Sequence, residues 1–326
     1  SRNKELPAIP YYKKYSVTPN AILPASEVAA LILHDLQEAR MLLTNDPVRT
    51  SGTMMDGPTD GSSTFMYYRN LRLNYYAVTA LLARTSLYFG DNASAYGYAT
   101  EVIEASEEGI FPFVSKDLVI GSPDDPDRIF SSEVIFALTH SQRNRLFKNY
   151  FDPSRIPNYV FRMDNDLMSQ IVYGGGAATG GNQDDYRYRV NWVATGANRY
   201  FYKYSDMNDT GNIRNTMIPM IRLGEMYLIA AEALLDTDYD QALEYFDTEL
   251  KSRGVTPLSQ RGGETLTKEM IFNEYRKELF GEGQTWFNMK RLNRDIQSNA
   301  ELRIIPASES VYVIPIPEEE FEYRND

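Results

Sequence analysis

The strongest constraint on this chain is a pair of helical hairpins, one early and one late, that share a spacing. Residues 218 to 253, IPMIRLGEMYLIAAEALLDTDYDQALEYFDTELKSRG, place Ile221, Met226, Ile229, Ala230 and Leu234 at a period near 3.6. That period predicts an amphipathic helix. Asp236-Thr237-Asp238 interrupts it, and a second helix carries Ala242, Tyr245, Phe246 and Leu250 before Gly254 stops it. Ala230 and Ala242 allow the two helices to approach closely. Leu82-Ala83, Gly90 and Ala95 repeat the arrangement upstream. Small residues at the crossing of antiparallel helices are the mark of a tetratricopeptide-like repeat, so the predicted fold is mainly α, with helical hairpins as scaffold.

Other segments fit around that scaffold. Residues 1–24 hold four prolines and read as an irregular arm. A helix is predicted from Ser26, its N-cap, to Leu43, with Val28, Leu31, Ile32, Leu36, Ala39, Leu42 and Leu43 as its buried stripe. Another should run from Arg69 to Phe89, and a third from Gly90-Asp91-Asn92 to Glu108. From 111 to 214 the pattern changes to short β-like runs, Val134–Leu138 the clearest, within Pro-, Gly- and Asn-rich connections. The expected organisation is one domain, with 1–110 and 215–326 as helical scaffold and 111–214 as an irregular insertion. Helices are also expected from Thr267 toward Gly281 and over TWFNMKRLNRD, followed by an extended, proline-punctuated end.

Charge narrows the function. With 33 basic and 45 acidic residues the net charge is −12, which argues against nucleic acid, whose phosphates need clustered Lys and Arg. No apolar run approaches the roughly 18–20 residues that span a bilayer. There is no cysteine, and the two histidines, His34 and His140, read as ordinary ones. Asp206, Asn208, Thr210 and Gly211 resemble half a calcium loop, but Met217 stands where the bidentate Glu belongs, so no metal is expected. The Gly174–Gly181 run lacks the Lys-Ser/Thr of a phosphate loop and reads as a connector. No cofactor is implied. Glu274, Glu278 and Glu282 share one helical stripe. Two such carboxylates could serve glycoside hydrolysis. Like charges at that spacing repel, so structural pairing with Arg276, Lys277, Lys290, Arg291 or Arg222 is the better reading, and no catalytic residue is assigned.

Aromatic residues crowd the insertion. Trp192, Tyr186, Tyr188 and Tyr200, bordered by Asn191, Asp185 and Arg187, are the candidate ligand-binding residues. Sugar rings present apolar C–H faces with a hydroxyl rim, which flat rings edged by polar groups suit. The alternation Tyr186-x-Tyr188-x-Val190-x-Trp192 would set all four on one strand face, which fits either display or pinning of a long loop to the helices.

These residues also carry a family resemblance. IPMIRLGEMYLIAAEAL is similar to the most repeatable stretch of the SusD/RagB family, nutrient-binding lipoproteins of the Bacteroidetes outer surface. NEYRKELFGEGQTWFNMKRL resembles that family's acidic and Trp-containing signature through Glu274, Arg276, Glu278, Leu279, Glu282, Gly283, Trp286 and Arg291. IPIPEEEFEYRN resembles its ending through Pro315, Ile316, Pro317, Glu320 and Asn325, and Asp184–Arg187 resembles a short Asp-x-Arg element. Asn288, Gln284-Thr285 and Asp326 depart from the pattern at scaffold positions. The resemblance implies a non-enzymatic binder of oligosaccharide or peptide that delivers its ligand to a SusC-like TonB-dependent transporter at the outer membrane. Membrane attachment would be through a lipid anchor absent from this chain, and the amino-terminal part is expected to be incomplete. A surface glycoside hydrolase and a helical-repeat adaptor are the alternatives.

Overall fold

Residues 4–155, 159–168, 172–173, 184–297 and 304–322 are described by the structure, a computed structural model. The Gly174–Gly181 run and Asn325-Asp326 lie outside the described residues.

The chain enters through a two-stranded ribbon, β1 (Pro7–Pro10) and β2 (Ile22–Pro24), and passes directly into α1 (Ala25–Leu42). The helix starts one residue before the expected cap and has no side-chain cap. Its predicted stripe is only partly covered. Ala25, Val28 and Ala29 are buried, whereas Leu42 is 86% exposed. Near its end Arg40 meets Thr79 and Glu101, so that half touches its neighbours through polar contacts.

The next helix, α2 (Tyr75–Phe89), begins later than the periodicity suggests. Asn74 explains the start: its side chain accepts from Ala77 N while donating to the carbonyls of Arg69 and Ile135. That cap satisfies one orphan N–H of the first turn and leaves Arg69–Leu71 as a separate 3₁₀ turn. Gly90, at φ 83, closes α2, and Asp91 caps α3 (Asn92–Glu107).

Between the hairpins lie β3 (Val134–Thr139), α4 (Arg143–Tyr150), β4 (Arg162–Asp164), α5 (Tyr186–Asn191), β5 (Trp192–Thr195) and β6 (Asn198–Phe201). Strand β6 is central in a three-stranded antiparallel sheet, order β4-β6-β5. Residues 217–222 correct the sequence reading. Met217–Arg222 is a strand, β7, paired antiparallel to β3, and Ile221 is buried from it rather than from a helix. Pro219 has no N–H and disfavours helix for Ile218 before it.

Helix proper starts with α6 (Leu223–Leu234), turns through Asp236–Asp238 and returns as α7 (Tyr239–Ser252). Then come α8 (Lys268–Glu278), capped by Thr267, and α9 (Thr285–Leu292). A ribbon, β8 (Ile296–Gln297) with β9 (Ile304–Ile305), and short turns complete the described chain.

The main core joins α2, α3, α6, α7 and α8, with Val102, Met226, Ile229, Phe246, Ile271 and Leu279 in one cluster. Ala83, Ala95, Ala230 and Ala242 are each 0% exposed, as the close-crossing argument requires. The fold is therefore mainly helical, with short strands confined to the ribbons and the central segment. Among the described residues no helix is long and apolar enough to cross a membrane.

Candidate functional site

Below the small sheet, the protein buries an unusual concentration of charge. Six carboxylates (Glu133, Asp185, Glu249, Glu274, Glu278 and Glu282) meet four buried cations, Arg187, Lys203, Arg222 and Arg253. The i, i+4 spacing along α8 and just past it brings the three glutamates of the stripe to one line. Arg253 donates to both oxygens of Glu133 at 2.7 Å and, through Nε and Nη2, to Glu278 at 2.8 and 2.7 Å. Arg222 binds Glu282 through Nε at 2.7 Å and also donates to Glu278. Arg187 reaches Glu278 at 2.9 Å, clamps Asp185 and pairs with Glu274. Lys203 pairs with Glu282.

Structural pairing of the stripe is what the structure shows, but most of its partners differ from those expected. Only Arg222 and Lys277 of the predicted cations take part. Arg291 is bound to Glu232, and Arg276 lies against the Phe272 ring. Arg187, Lys203 and Arg253 come from stretches 91, 79 and 25 residues from the glutamates they bind, and helical spacing does not pair them with the stripe.

Burial and attraction compete at each group. Burial raises the carboxyl of Glu274, but Arg187 and Lys277 outweigh it and bring its pKa to about 2. Burial likewise opposes ionisation of Glu278, yet Arg222, Arg253 and Arg187 hold it well below the usual carboxylate range. Burial, then repulsion from Arg222, lowers Lys203 to about 8 despite Glu282. Glu249 goes the other way: burial, with repulsion from Glu278 and Glu133, pushes it well up against the attraction of Arg253 and Arg187. Lys277 adds a further cation at the edge of the cluster, bonded to Glu274 at 2.9 Å.

Above the cluster sits an aromatic layer. Trp192 packs 5.0 Å from Phe201 and 4.8 Å from Phe280, ring centre to ring centre, with Phe161 beyond at 6.4 Å. Gly281, at φ +77, lets the backbone pass beneath; a Cβ there would stand 2.7 Å from the Phe201 ring. Tyr188 lies under the Arg199 guanidinium at 4.1 Å.

The structure brings the sequence candidates together and turns them inward, the pinning alternative rather than display. Trp192, at 2% exposure, and Tyr188, Tyr200, Asn191, Asp185 and Arg187 are all buried, and Tyr186 is half-buried. The common strand face is corrected too. Tyr186–Asn191 is helical, because Asp185 accepts from Arg187 N and caps the turn, and the strand begins only at Trp192. The enclosed cavity beside Trp192, Asn191 and Lys203 is about 10 Å³, far too small for a sugar. The open rings are others, at the outer edge: Tyr150 (56% exposed), Tyr159 (76%) and Phe161 (42%). Phe161 N donates to Tyr150 O at 2.7 Å, so the two stretches run side by side, with Asn149 and Arg155 adjacent. Alternation did not single these out, since they lie on separate stretches.

The fold has counterparts among known proteins. The SusD family model matches residues 136–323, and the chain belongs to that family. Among solved structures, a SusD superfamily protein from Bacteroides thetaiotaomicron superposes with a TM-score of 0.70 at 22% identity, covering 98% of this chain and 70% of that one. A SusD-like carbohydrate binding protein from Bacteroides vulgatus gives 0.63 at 16% identity, over 99% of this chain and 70% of its own. Surface glycan-binding protein A from Bacteroides uniformis gives 0.63 at 15%, over 98% and 72%. No curated protein matches the chain.

Proposed function

We propose that this protein is a non-enzymatic cell-surface binder of oligosaccharide that passes its ligand to a SusC-like TonB-dependent transporter. Family membership over residues 136–323 is the observation that carries the reading. Two structural neighbours named for carbohydrate or glycan binding support that ligand class. Binding is favoured over hydrolysis by the state of the acidic stripe. Glu274, Glu278 and Glu282 are buried and ion-paired, whereas a glycosidase needs two carboxyls open to the scissile bond.

The platform we assign is Tyr150, Tyr159 and Phe161, whose open faces suit stacking on sugar rings. Trp192 and Phe280 support Phe161 from below, and the buried candidates Asp185 and Arg187 tie the central segment to α8. Calorimetry against a panel of neutral polysaccharides, with peptides as a second arm, tests this. Tyr159→Ala should weaken glycan binding several-fold at a nearly unchanged melting temperature, and Phe161→Ala should weaken it too, with some loss of stability from its contacts to Trp192 and Phe280. No saturable heat with any glycan, or full affinity in both variants, overturns the platform.

A further inference from the structure

On the helical scaffold an open cleft of about 340 Å³ lies where α2 ends and α9 ends. That volume is within the range of small-ligand sites. Its walls combine the apolar bodies of Tyr88, Phe89 and Leu292 with the cations Lys4, Lys290 and Arg291. On a chain of net charge −12, a depression lined by cations with no carboxylate among its walls is out of character. The three cations are not equivalent. Arg291 is held by a two-point bond to Glu232, at 2.5 and 2.9 Å. Lys4 donates one hydrogen to Phe89 O and keeps two more. The Lys290 ammonium has no hydrogen-bond or ion-pair partner among the described residues, and its carbonyl accepts from Asn293 N. Two effects oppose an anion here. Helix carbonyl ends carry partial negative charge, and Asp91 stands close by, although its carboxylate is bonded to Ser94 N. Lys290 and Arg291 in the last turn of α9 offset the first effect.

We infer that this cleft binds a carboxylate carried on a ring-sized apolar body. Lys290 and Lys4 would meet the carboxylate, and the Tyr88 and Phe89 side would take the flat face. Two sources share that chemistry, a sugar acid and a free aromatic acid. Calorimetry with digalacturonate, with its neutral counterpart galactobiose and with phenylacetate separates them. At least one acid should bind saturably and galactobiose should not bind in the cleft. Lys290→Ala should lower the acid's affinity by about tenfold or more, as expected for loss of a charged hydrogen bond, while Lys290→Arg retains it. About 1 M salt, where the screening length is about 3 Å, should weaken it as well. Binding of digalacturonate alone assigns a sugar acid, and of phenylacetate alone a free acid. Phe161→Ala, far along the chain on the glycan platform, should leave acid binding unchanged, so failure of that platform is told apart from failure here. The inference falls if neither acid gives saturable heat, if galactobiose displaces the acid equally well, or if Lys290→Ala binds the acid at wild-type strength.

Discussion

At Gly224 a single added carbon would stand 2.7 Å from Arg253 Nη2, 2.8 Å from Glu278 Oε1 and 3.0 Å from Glu249 Oε1. All three belong to fully buried side chains of the ion-pair cluster, which have little room to swing aside. Gly224→Ala should therefore cost about 1–3 kcal/mol, the range for overpacking, read as a lower urea midpoint. Glu278→Gln should cost more, about 3–5 kcal/mol, because it leaves the surrounding arginines uncompensated in a dry interior. The pH dependence follows from Glu274. Its folded pKa of about 2 lies below the ordinary 4.5, so its contribution is complete above about pH 4.5 and is lost as pH falls toward 2. Glu274→Gln should flatten the fall in stability across that window, measured by urea titration at each pH. Lys203 changes stability in the same direction, but at high pH. Its folded pKa of about 8 lies below the ordinary 10.5, so the unfolded chain binds the extra proton, and this residue's contribution rises between those values. The glutamate stripe was legible because helical spacing is local. Its partners were not, since Arg253 and Glu133 are 120 residues apart and Arg187 and Glu278 are 91 apart.

Among the elements, the hairpins were read most surely. Alanine pairs at a fixed spacing have few explanations besides close helix crossing, and Ala83, Ala95, Ala230 and Ala242 are fully buried. Ala230→Leu should push α6 from its neighbours and lower stability by about 1–3 kcal/mol, with helix content by circular dichroism retained below the transition. Periodicity misled at two junctions. Ile221 sits in phase with α6 yet belongs to β7, and Tyr186–Asn191 alternates like a strand yet is helical. In both a neighbouring residue decides, Pro219 by lacking an N–H and Asp185 by capping a turn. Short runs carry too few positions for a pattern to outweigh one such residue.

At the scale of the molecule, the buried charges join parts that hydrophobic contact leaves separate. The main core and the aromatic layer are distinct clusters, and Arg187 and Lys203 bridge from the central segment to α8 and Glu282. Unfolding should consequently be a single transition. With Trp286→Phe removing the exposed indole (40% exposed), Trp192 fluorescence reports the aromatic layer and far-ultraviolet circular dichroism reports the helices. Their urea midpoints should coincide in that background and separate when Glu278→Gln is added; separate midpoints before the second substitution would refute the coupling. Which rings face solvent was the least legible property. Burial of Trp192 depends on Phe280 and Phe201 arriving from two other stretches of chain.

The order of the chain gives the charge cluster a consequence for synthesis. Arg187, Lys203, Arg222 and Arg253 leave the ribosome before Glu274, Glu278 and Glu282. Until α8 emerges, the cluster lacks three of its six carboxylates, so its cations are incompletely paired and the central sheet is not yet seated. A nascent chain stopped short of that helix should remain open to proteases along its middle third, and become resistant once the last acidic residues are translated.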